Sequence, residues 1–257
     1  MKNKNLSAII VCLISAVCIL LTIALPVRIA GFDSKKTLIV YFSRVGNTDF
    51  SDDVDAVSSA SLRRKDGVLY GNCEILAEKL SNLSGADVFS VTVSENYPES
   101  YEETVNCASH EQSDNTRPKL ISHIDNMDSY DNIIVVYPVW WSTMPMPMFS
   151  FFEEYDFSGK NIYPVATHKG SFLGDSVNDI KELCPESEVR KGISISGGSV
   201  DFVGIMPFVM VAGWVMLAIG TLLNNRFKSK TAKVLLTDMM PILGIILNVF
   251  CIVRMLI

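Results

Sequence analysis

The sequence is poor in the residues on which several common kinds of chemistry depend. Its 257 residues include three histidines and six cysteines, with no C-x-x-C pair, which argues against a zinc site or a redox dithiol. Cys12, Cys18 and Cys251 lie in apolar runs, leaving Cys73, Cys107 and Cys184 in the polar part of the chain. Three cysteines cannot close a disulfide framework, so buried or free thiols are expected. No Ser-His-Asp order, metal-ligand cluster or P-loop occurs, nor any internal repeat or low-complexity tract. His110 and His123 fall in or near a polar helix and read as solvated side chains, as do Glu153, Glu154 and Asp156 at the end of another. A basic surface is also missing. Residues 36–201 carry 13 Lys+Arg against 26 Asp+Glu, while the rest of the chain carries 9 basic and 2 acidic residues. A domain this acidic argues against nucleic acid as a partner, because phosphate backbones need a basic face.

Charge is absent altogether from residues 6–25, 202–223 and 239–253. A transmembrane helix needs about 20 apolar residues, so spans are expected over about 6–27 and 202–223. A third is expected over 234–257, with Asp238 and Arg254 snorkelling at its ends. Lys2 and Lys4 give the first run a basic start, but it is longer than a signal-peptide core and no clean small-x-small cleavage site follows, so an uncleaved anchor is expected. Residues 224–233 hold Arg226, Lys228, Lys230 and Lys233 and no acid. Positive loops stay in the cytoplasm, which puts the acidic domain on the extracytoplasmic side of the cell membrane in a multi-pass chain. Unpaired thiols sit badly with an oxidising exterior and count against that side. The expected organisation is an N-terminal anchor in 1–35, one domain over 36–198, and two C-terminal transmembrane helices in 199–257.

Within the domain, strand-like and helix-like stretches alternate. Residues 37–43 form a near-continuous apolar run, the pattern of a parallel strand buried on both faces. Residues 49–69 are acidic and Ser-rich without clean periodicity and read as an inserted loop. A helix then opens at Gly71-Asn72, with Asn72 as N-cap and Ile75, Leu76, Leu80 and Leu83 at helical spacing, and stops at Ser84-Gly85. Further strands are expected over 86–93, 133–137, 161–167 and 189–196, and helices over 98–112, 145–155 and 173–183. Residues 196–199, Ser-Gly-Gly-Ser, read as a flexible link. Such alternation predicts an α/β fold with a parallel sheet covered on both faces.

Three loops then converge on the carboxyl edge of that sheet, where ligands of open α/β sheets bind. The loop after the first strand, Ser43-Arg44-Val45-Gly46-Asn47-Thr48, and the helix start at Gly71-Asn72-Cys73 offer hydroxyls and backbone N–H groups suited to phosphate. The loop after the third strand holds Pro138, Val139, Trp140, Trp141, Ser142, Thr143 and Met144, and an exposed indole there could stack on a flat ring. The fourth strand leads into Thr167, His168, Gly170, Ser171 and Gly174. Phosphate at one loop and a flat ring between the other two describe a mononucleotide such as FMN.

These segments are similar to the flavodoxin family over about residues 36–198. The resemblance rests on Tyr-Phe-Ser-Arg at 41–44, Gly-Asn at 46–47 and 71–72, Tyr-Pro-Val-Trp-Trp-Ser-Thr-Met-Pro at 137–145 and Thr-His-Lys-Gly-Ser at 167–171. The Trp-Trp-x-x-x-Pro loop points to a bacterial branch of the family. The resemblance implies a flavodoxin-like doubly wound sheet of five strands in order 2-1-3-4-5 with noncovalent FMN at the switch point. By position, Ser43 and the Gly-Asn residues would hold the phosphate, the 138–144 loop and one indole would line the ring, and His168, Gly170 and Ser171 would close its far side. The family usually runs from strand to helix through one Ser/Thr-x-Thr-Gly-Asn-Thr loop. Here the helix begins 24 residues after Thr48, so either Gly46-Asn47-Thr48 or Gly71-Asn72-Cys73, or both, would serve, and Cys73 stands where a threonine is expected. The expected function is a membrane-anchored flavodoxin-like electron carrier between redox partner proteins. An FMN-dependent NAD(P)H/quinone-type reductase and a non-catalytic flavin-binding membrane sensor or scaffold are the alternatives.

Overall fold

Thr37–Phe42 (β1) is the strand on which the domain is built. It pairs in parallel with Asp87–Val91 (β4) on one side and Asn132–Pro138 (β5) on the other, which explains why it is apolar at nearly every position. The computed structural model describes residues 36–51 and 60–203 of the chain. The expected spans lie outside the described residues, apart from 202 and 203 at the start of the second. Among the described residues no helix is long and apolar enough to cross a membrane. Gly31–Val203 form one compact unit.

Asn161–His168 (β6) pairs in parallel with β5, and Glu188–Val189 (β7) and Ile193–Ser196 (β8) both pair in parallel with β6. Counting β7 and β8 as one broken strand, the five parallel strands take the expected order 2-1-3-4-5. Side chains alternate across the sheet as the pleat requires. Leu38, Val40 and Phe42 of β1 join Ile133, Val135 and Tyr137 of β5 in the larger core. Ile39 and Val136 face the smaller one. The helix Asn72–Ser84 (α1) covers the smaller core with Cys73, Leu76 and Ala77. On the other face lie Tyr101–Ser113 (α2), Met146–Glu154 (α3) and Ser176–Leu183 (α4). Of these, α3 and α4 contribute Met148, Phe151, Phe152 and Ile180 to the larger core.

The caps explain the helix limits. Gly85 ends α1 in the left-handed region at φ 73° and donates its N–H to the Ser81 carbonyl, a closure that suits glycine. The Ser100 hydroxyl accepts from Glu103 N–H at 3.2 Å and so caps α2. Pro145 precedes α3 and Pro147 falls in its first turn, where a missing N–H is harmless.

Four expectations need correction. The stretch 49–69 is not wholly a loop: Leu62–Lys65 (β2) and Val68–Gly71 (β3) form an antiparallel hairpin around Asp66 and Gly67, at φ 51° and 81°. Asp-Gly is a strong signal for that turn, but three charged residues in β2 hide any apolar alternation. The N-cap of α1 is Gly71, and Asn72 is its first helical residue. The fifth strand is broken between β7 and β8. Residues 196–199 are no open link: Gly197–Phe202 is a 3₁₀ helix. Arg63 pairs with Asp201 and donates to the Gly197 carbonyl at 2.7 Å, and Lys79 Nζ donates to the Asp201 carbonyl at 2.6 Å.

Phe151 is fully buried among Phe152, Tyr155 and Phe157, with ring centroids 5.3–5.6 Å away. Phe151→Ala is expected to destabilise the fold by about 3–5 kcal/mol. Phe172→Ala, at a side chain 54% exposed, should stay within about 1 kcal/mol. Denaturant titration followed by circular dichroism checks both.

Candidate functional site

The loop after β1 is consumed largely by structure. Asn47 Nδ2 donates to the carbonyls of Ser43 (2.8 Å) and Val91 (3.0 Å), and its Oδ1 accepts from Val93 N–H. Its backbone N–H closes a turn onto Arg44, and its carbonyl accepts from Tyr97 N–H. Asn47 thus ties the end of β1 to the end of β4. Gly46 allows the turn at φ 88°, and Thr48 lies buried behind it.

After the insert the chain returns to the same place. A β-carbon at Gly71 would fall well inside contact distance of Ser43 Oγ, so glycine lets α1 begin directly beside the end of β1 without displacing the Ser43 side chain. Residues 60 and 61 lie across this junction. Asn72 N–H donates to the Ser61 carbonyl at 2.8 Å, and Asn72 Nδ2 to the Ala60 carbonyl at 3.2 Å. Thr167 Oγ1, from the end of β6, donates to the same Ala60 carbonyl at 2.7 Å and lies 3.2 Å from Cys73 Sγ. The Glu74 carboxylate reaches back to Gly71 N–H at 3.4 Å. A main-chain carbonyl and a carboxylate therefore already meet the positive end of the α1 dipole. Burial pushes the Cys73 thiol up to about 12, partly offset by the Thr167 contact.

The tryptophan loop is a tight turn. Val139 N–H bonds to the Thr167 carbonyl, and Trp140 and Thr143 exchange two backbone hydrogen bonds of 2.8 and 3.0 Å. Trp141 and Ser142 between them sit at φ 47° and 67°. Such backbone costs about 1–3 kcal/mol per non-glycine residue and persists only when its surroundings hold it. Here Asp175 N–H donates to the Ser142 carbonyl at 2.6 Å, Gln112 Nε2 donates to the Trp141 carbonyl, and Thr143 Oγ1 donates to the Asp179 carboxylate. Trp140 meets Phe42 and Tyr97 edge to face at 5.6 and 5.3 Å and donates Nε1–H to Ser61 Oγ. Trp141 donates Nε1–H to the Val105 carbonyl and leaves 51% of its surface exposed. Trp140 is thus a fixed wall and Trp141 an open rim. Pro138, Thr143 and Met144 are buried beneath them.

On the third loop His168 is buried, and its Nδ1 accepts from Gly170 N–H at 2.9 Å. That bond assigns the ring proton to Nε2. Nε2 has no partner among the described residues, and burial lowers the pKa of the ring. Phe172 packs on the ring at 5.0 Å from a left-handed backbone at φ 54°.

These loops enclose a cavity of about 410 Å³, within the usual range for small-molecule sites. Of the residues expected at a cofactor, it brings together Arg44, Val139, Trp140, Trp141 and Ser171. Val45, Ser142, Gly170 and Gly174, like the buried residues described above, do not line it. Lys169 and two groups outside the expected site complete the lining: Ala60 and Ser61 of the insert, and Tyr101, Thr104, Val105 and Ala108 of α2. The spacing of Thr104, Val105 and Ala108 marks one helix face, but nothing in the sequence says which loop that face meets.

Arg44 and Lys169 are the charged residues of the lining, and Arg44 is the buried one. It is 2% exposed, its Nη2 donates to the Pro98 and Glu99 carbonyls at 2.7 and 2.9 Å, and its guanidinium lies 5.1 Å from the centre of the Phe50 ring. Its Nε is buried without a partner among the described residues, and burial lowers the pKa of the guanidinium to about 10.

Gly174 joins the second and third loops. Its φ is 53°, and a β-carbon there would collide with the Ser142 backbone. Gly174→Ala is therefore expected to destabilise the domain by roughly 2–3 kcal/mol and to alter tryptophan emission. A thermal melt recorded by fluorescence checks this.

A family model described as Flavodoxin matches residues 67–203. It opens at the turn of the hairpin, so β1 and its loop lie ahead of it. No curated protein matches the chain. Among solved structures, a candidate flavoprotein from Bacteroides uniformis is 23% identical, with 66% of this chain and 96% of that one covered and a TM-score of 0.49. A similar one from Bacteroides eggerthii is 24% identical, with the same coverage and a TM-score of 0.48. A flavoprotein from Lactobacillus acidophilus, solved in complex with FMN, is 21% identical, with 65% of this chain and 97% of that one covered and a TM-score of 0.44. Since the family model takes in more than half of its residues, the chain belongs to the flavodoxin family.

Proposed function

We propose that this protein is a membrane-anchored, flavodoxin-like carrier that binds FMN noncovalently and passes electrons between redox partner proteins. The observation that carries the reading is the cavity of about 410 Å³ with an indole wall and rim at the carboxyl edge of the sheet. The lining fits FMN in kind: aromatic faces for a flat ring, Ser61 and Ser171 hydroxyls for its polar edge, and the positive charge of Arg44 and Lys169 for its phosphate. Bound there, FMN would supply one- and two-electron redox chemistry. The chain's own part is to hold and orient the ring, with Trp140 fixed by Ser61 and Trp141 by Val105.

Anchoring rests on the uncharged runs, and the extracytoplasmic placement on the basic loop 224–233. The free thiols are a weaker objection to that side than the sequence suggests. Cys73 and Cys184 are buried, and burial pushes each up to about 12, so neither offers a reactive thiolate.

The full-length chain is expected to retain a flavin absorbance band through gel filtration after incubation with FMN. Absence of bound flavin would overturn the reading. Trp141→Ala should weaken binding by about tenfold, or 1.4 kcal/mol, with little change in stability. Bound flavin that dithionite reduces only on unfolding would point to a sensor instead. A reporter fused after Ser199 should be active on the extracytoplasmic side. Iodoacetamide at pH 8 should modify Cys107, which is partly exposed, and leave Cys73 and Cys184 untouched until the protein is denatured, as peptide mass mapping would reveal.

A further inference from the structure

We propose that Glu111 is a positioning residue of the cavity: through the hydroxyl of Tyr97 it sets the pose of the Trp140 wall and so the grip on a flat ring, an inference that rests on the flavin reading above. Neither Tyr97 nor Glu111 lines the cavity, so both act through Trp140. Three side chains hold that indole. Phe42 and Tyr97 meet it edge to face at 5.6 and 5.3 Å, and Ser61 Oγ accepts its Nε1–H at 2.9 Å. Edge-to-face pairs depend on the relative tilt of the two rings. Phe42 is fixed in the core as part of β1, whereas Tyr97 belongs to no strand or helix. Its backbone N–H bonds to the Asn47 carbonyl, and its hydroxyl donates to Glu111 Oε2 at 2.7 Å. Tyr97 is buried, and a buried hydroxyl that loses its acceptor is unfavourable, so the tilt of the ring against Trp140 is decided at that bond. The state of Glu111 points the same way. Its carboxylate forms no ion pair among the described residues, and burial raises its pKa while the Tyr97 bond opposes the rise. A hydrogen bond to an ionised carboxylate is stronger than a neutral one. Glu111 also falls at helical spacing from Thr104 and Ala108 of α2, which line the cavity. The bond therefore ties the indole wall to the helix that forms another wall.

The experiment compares the full-length wild-type protein with Tyr97→Phe, Glu111→Ala, Glu111→Gln and the double variant Tyr97→Phe/Glu111→Ala. FMN and riboflavin, which lacks only the phosphate, are titrated by flavin fluorescence, and the visible spectrum of the bound flavin is recorded. Tyr97→Phe keeps the ring and loses the bond. It and Glu111→Ala should each weaken both flavins about three- to tenfold and shift the flavin band. Glu111→Gln, whose amide oxygen still accepts, should stay within about twofold of wild type with the band in place. The double variant should be no weaker than the weaker single one, since each loses the same bond. Unchanged affinity and spectrum in Tyr97→Phe overturn the inference, as do additive losses in the double variant or a loss in Glu111→Gln equal to that in Glu111→Ala. A change confined to FMN overturns it too, because a carboxylate acting on the phosphate by charge would spare riboflavin. If Glu111→Ala does not fold, Tyr97→Phe and Glu111→Gln decide. If wild type binds neither flavin, the flavin reading falls and the positioning is judged alone, by acrylamide quenching of tryptophan emission in a Trp141→Phe background, where Trp140 is the one indole of residues 36–203. Quenching raised by Tyr97→Phe and not by Glu111→Gln supports it, and quenching equal in all three overturns it.

Discussion

The closeness of Ser43 to Gly71 is the constraint on which the rest of the domain depends. The chain leaves the sheet after β1, travels through the insert, and must return to the same point if α1 is to pack beneath β1 and β5. A side chain at position 71 would collide with Ser43 Oγ, so glycine there lets the chain re-enter with the Ser43 side chain in place. Once the two ends meet, β1 and α1 behave as a direct strand-helix connection, and Cys73, Leu76 and Ala77 fall onto the smaller core without adjustment. Ala60 and Ser61, just ahead of the hairpin, then lie at the carboxyl edge of the sheet and form part of the cavity wall.

That placement has a second consequence. Ser61 holds the α1 amide through its carbonyl and the Trp140 indole through its hydroxyl, so one residue of the insert links the helix start to the aromatic wall. Two residues further on, Arg63 bonds to Gly197 and Asp201 in the final 3₁₀ helix. The insert therefore connects the cavity to the end of the domain through a short run of hydrogen bonds. On the other side of the cavity, the strained turn at Trp141 and Ser142 is held by Asp175, Asp179 and the missing side chain of Gly174. Strain of this kind survives only where neighbours over-determine it. Its concentration beside the cavity is consistent with a site whose exposed indole must be held in one pose.

Much of the architecture was legible in the residues. The apolar run of β1, the Gly85 stop of α1, the prolines that open α3 and the alternation of elements all act locally, through burial on both faces, left-handed backbone or a missing N–H. The hairpin was also legible in principle, from Asp66-Gly67, but Arg63, Arg64 and Lys65 gave no apolar alternation to go with it. The break between β7 and β8 and the ordering of Gly197–Phe202 were not legible. They depend on partners distant in sequence, including the bond from Arg190 N–H to the Ile162 carbonyl and those from Arg63 and Lys79.

By itself the sequence determined the strand order's ingredients, the acidic character of the domain and the tryptophan loop as a candidate site, because each follows from periodicity, counting or a short motif. Only the tertiary structure decided what surrounds that loop. The phosphate-suited Gly-Asn pairs turn out to serve the chain's own carbonyls and strand ends, while Ala60, Ser61 and one face of α2 form the wall. The reason is physical: a hydrogen-bond donor in a sequence is open to any acceptor, and which one it meets is settled by packing between positions 12 residues apart, as for Asn72 and Ala60, or 107 apart, as for Thr167 and Ala60.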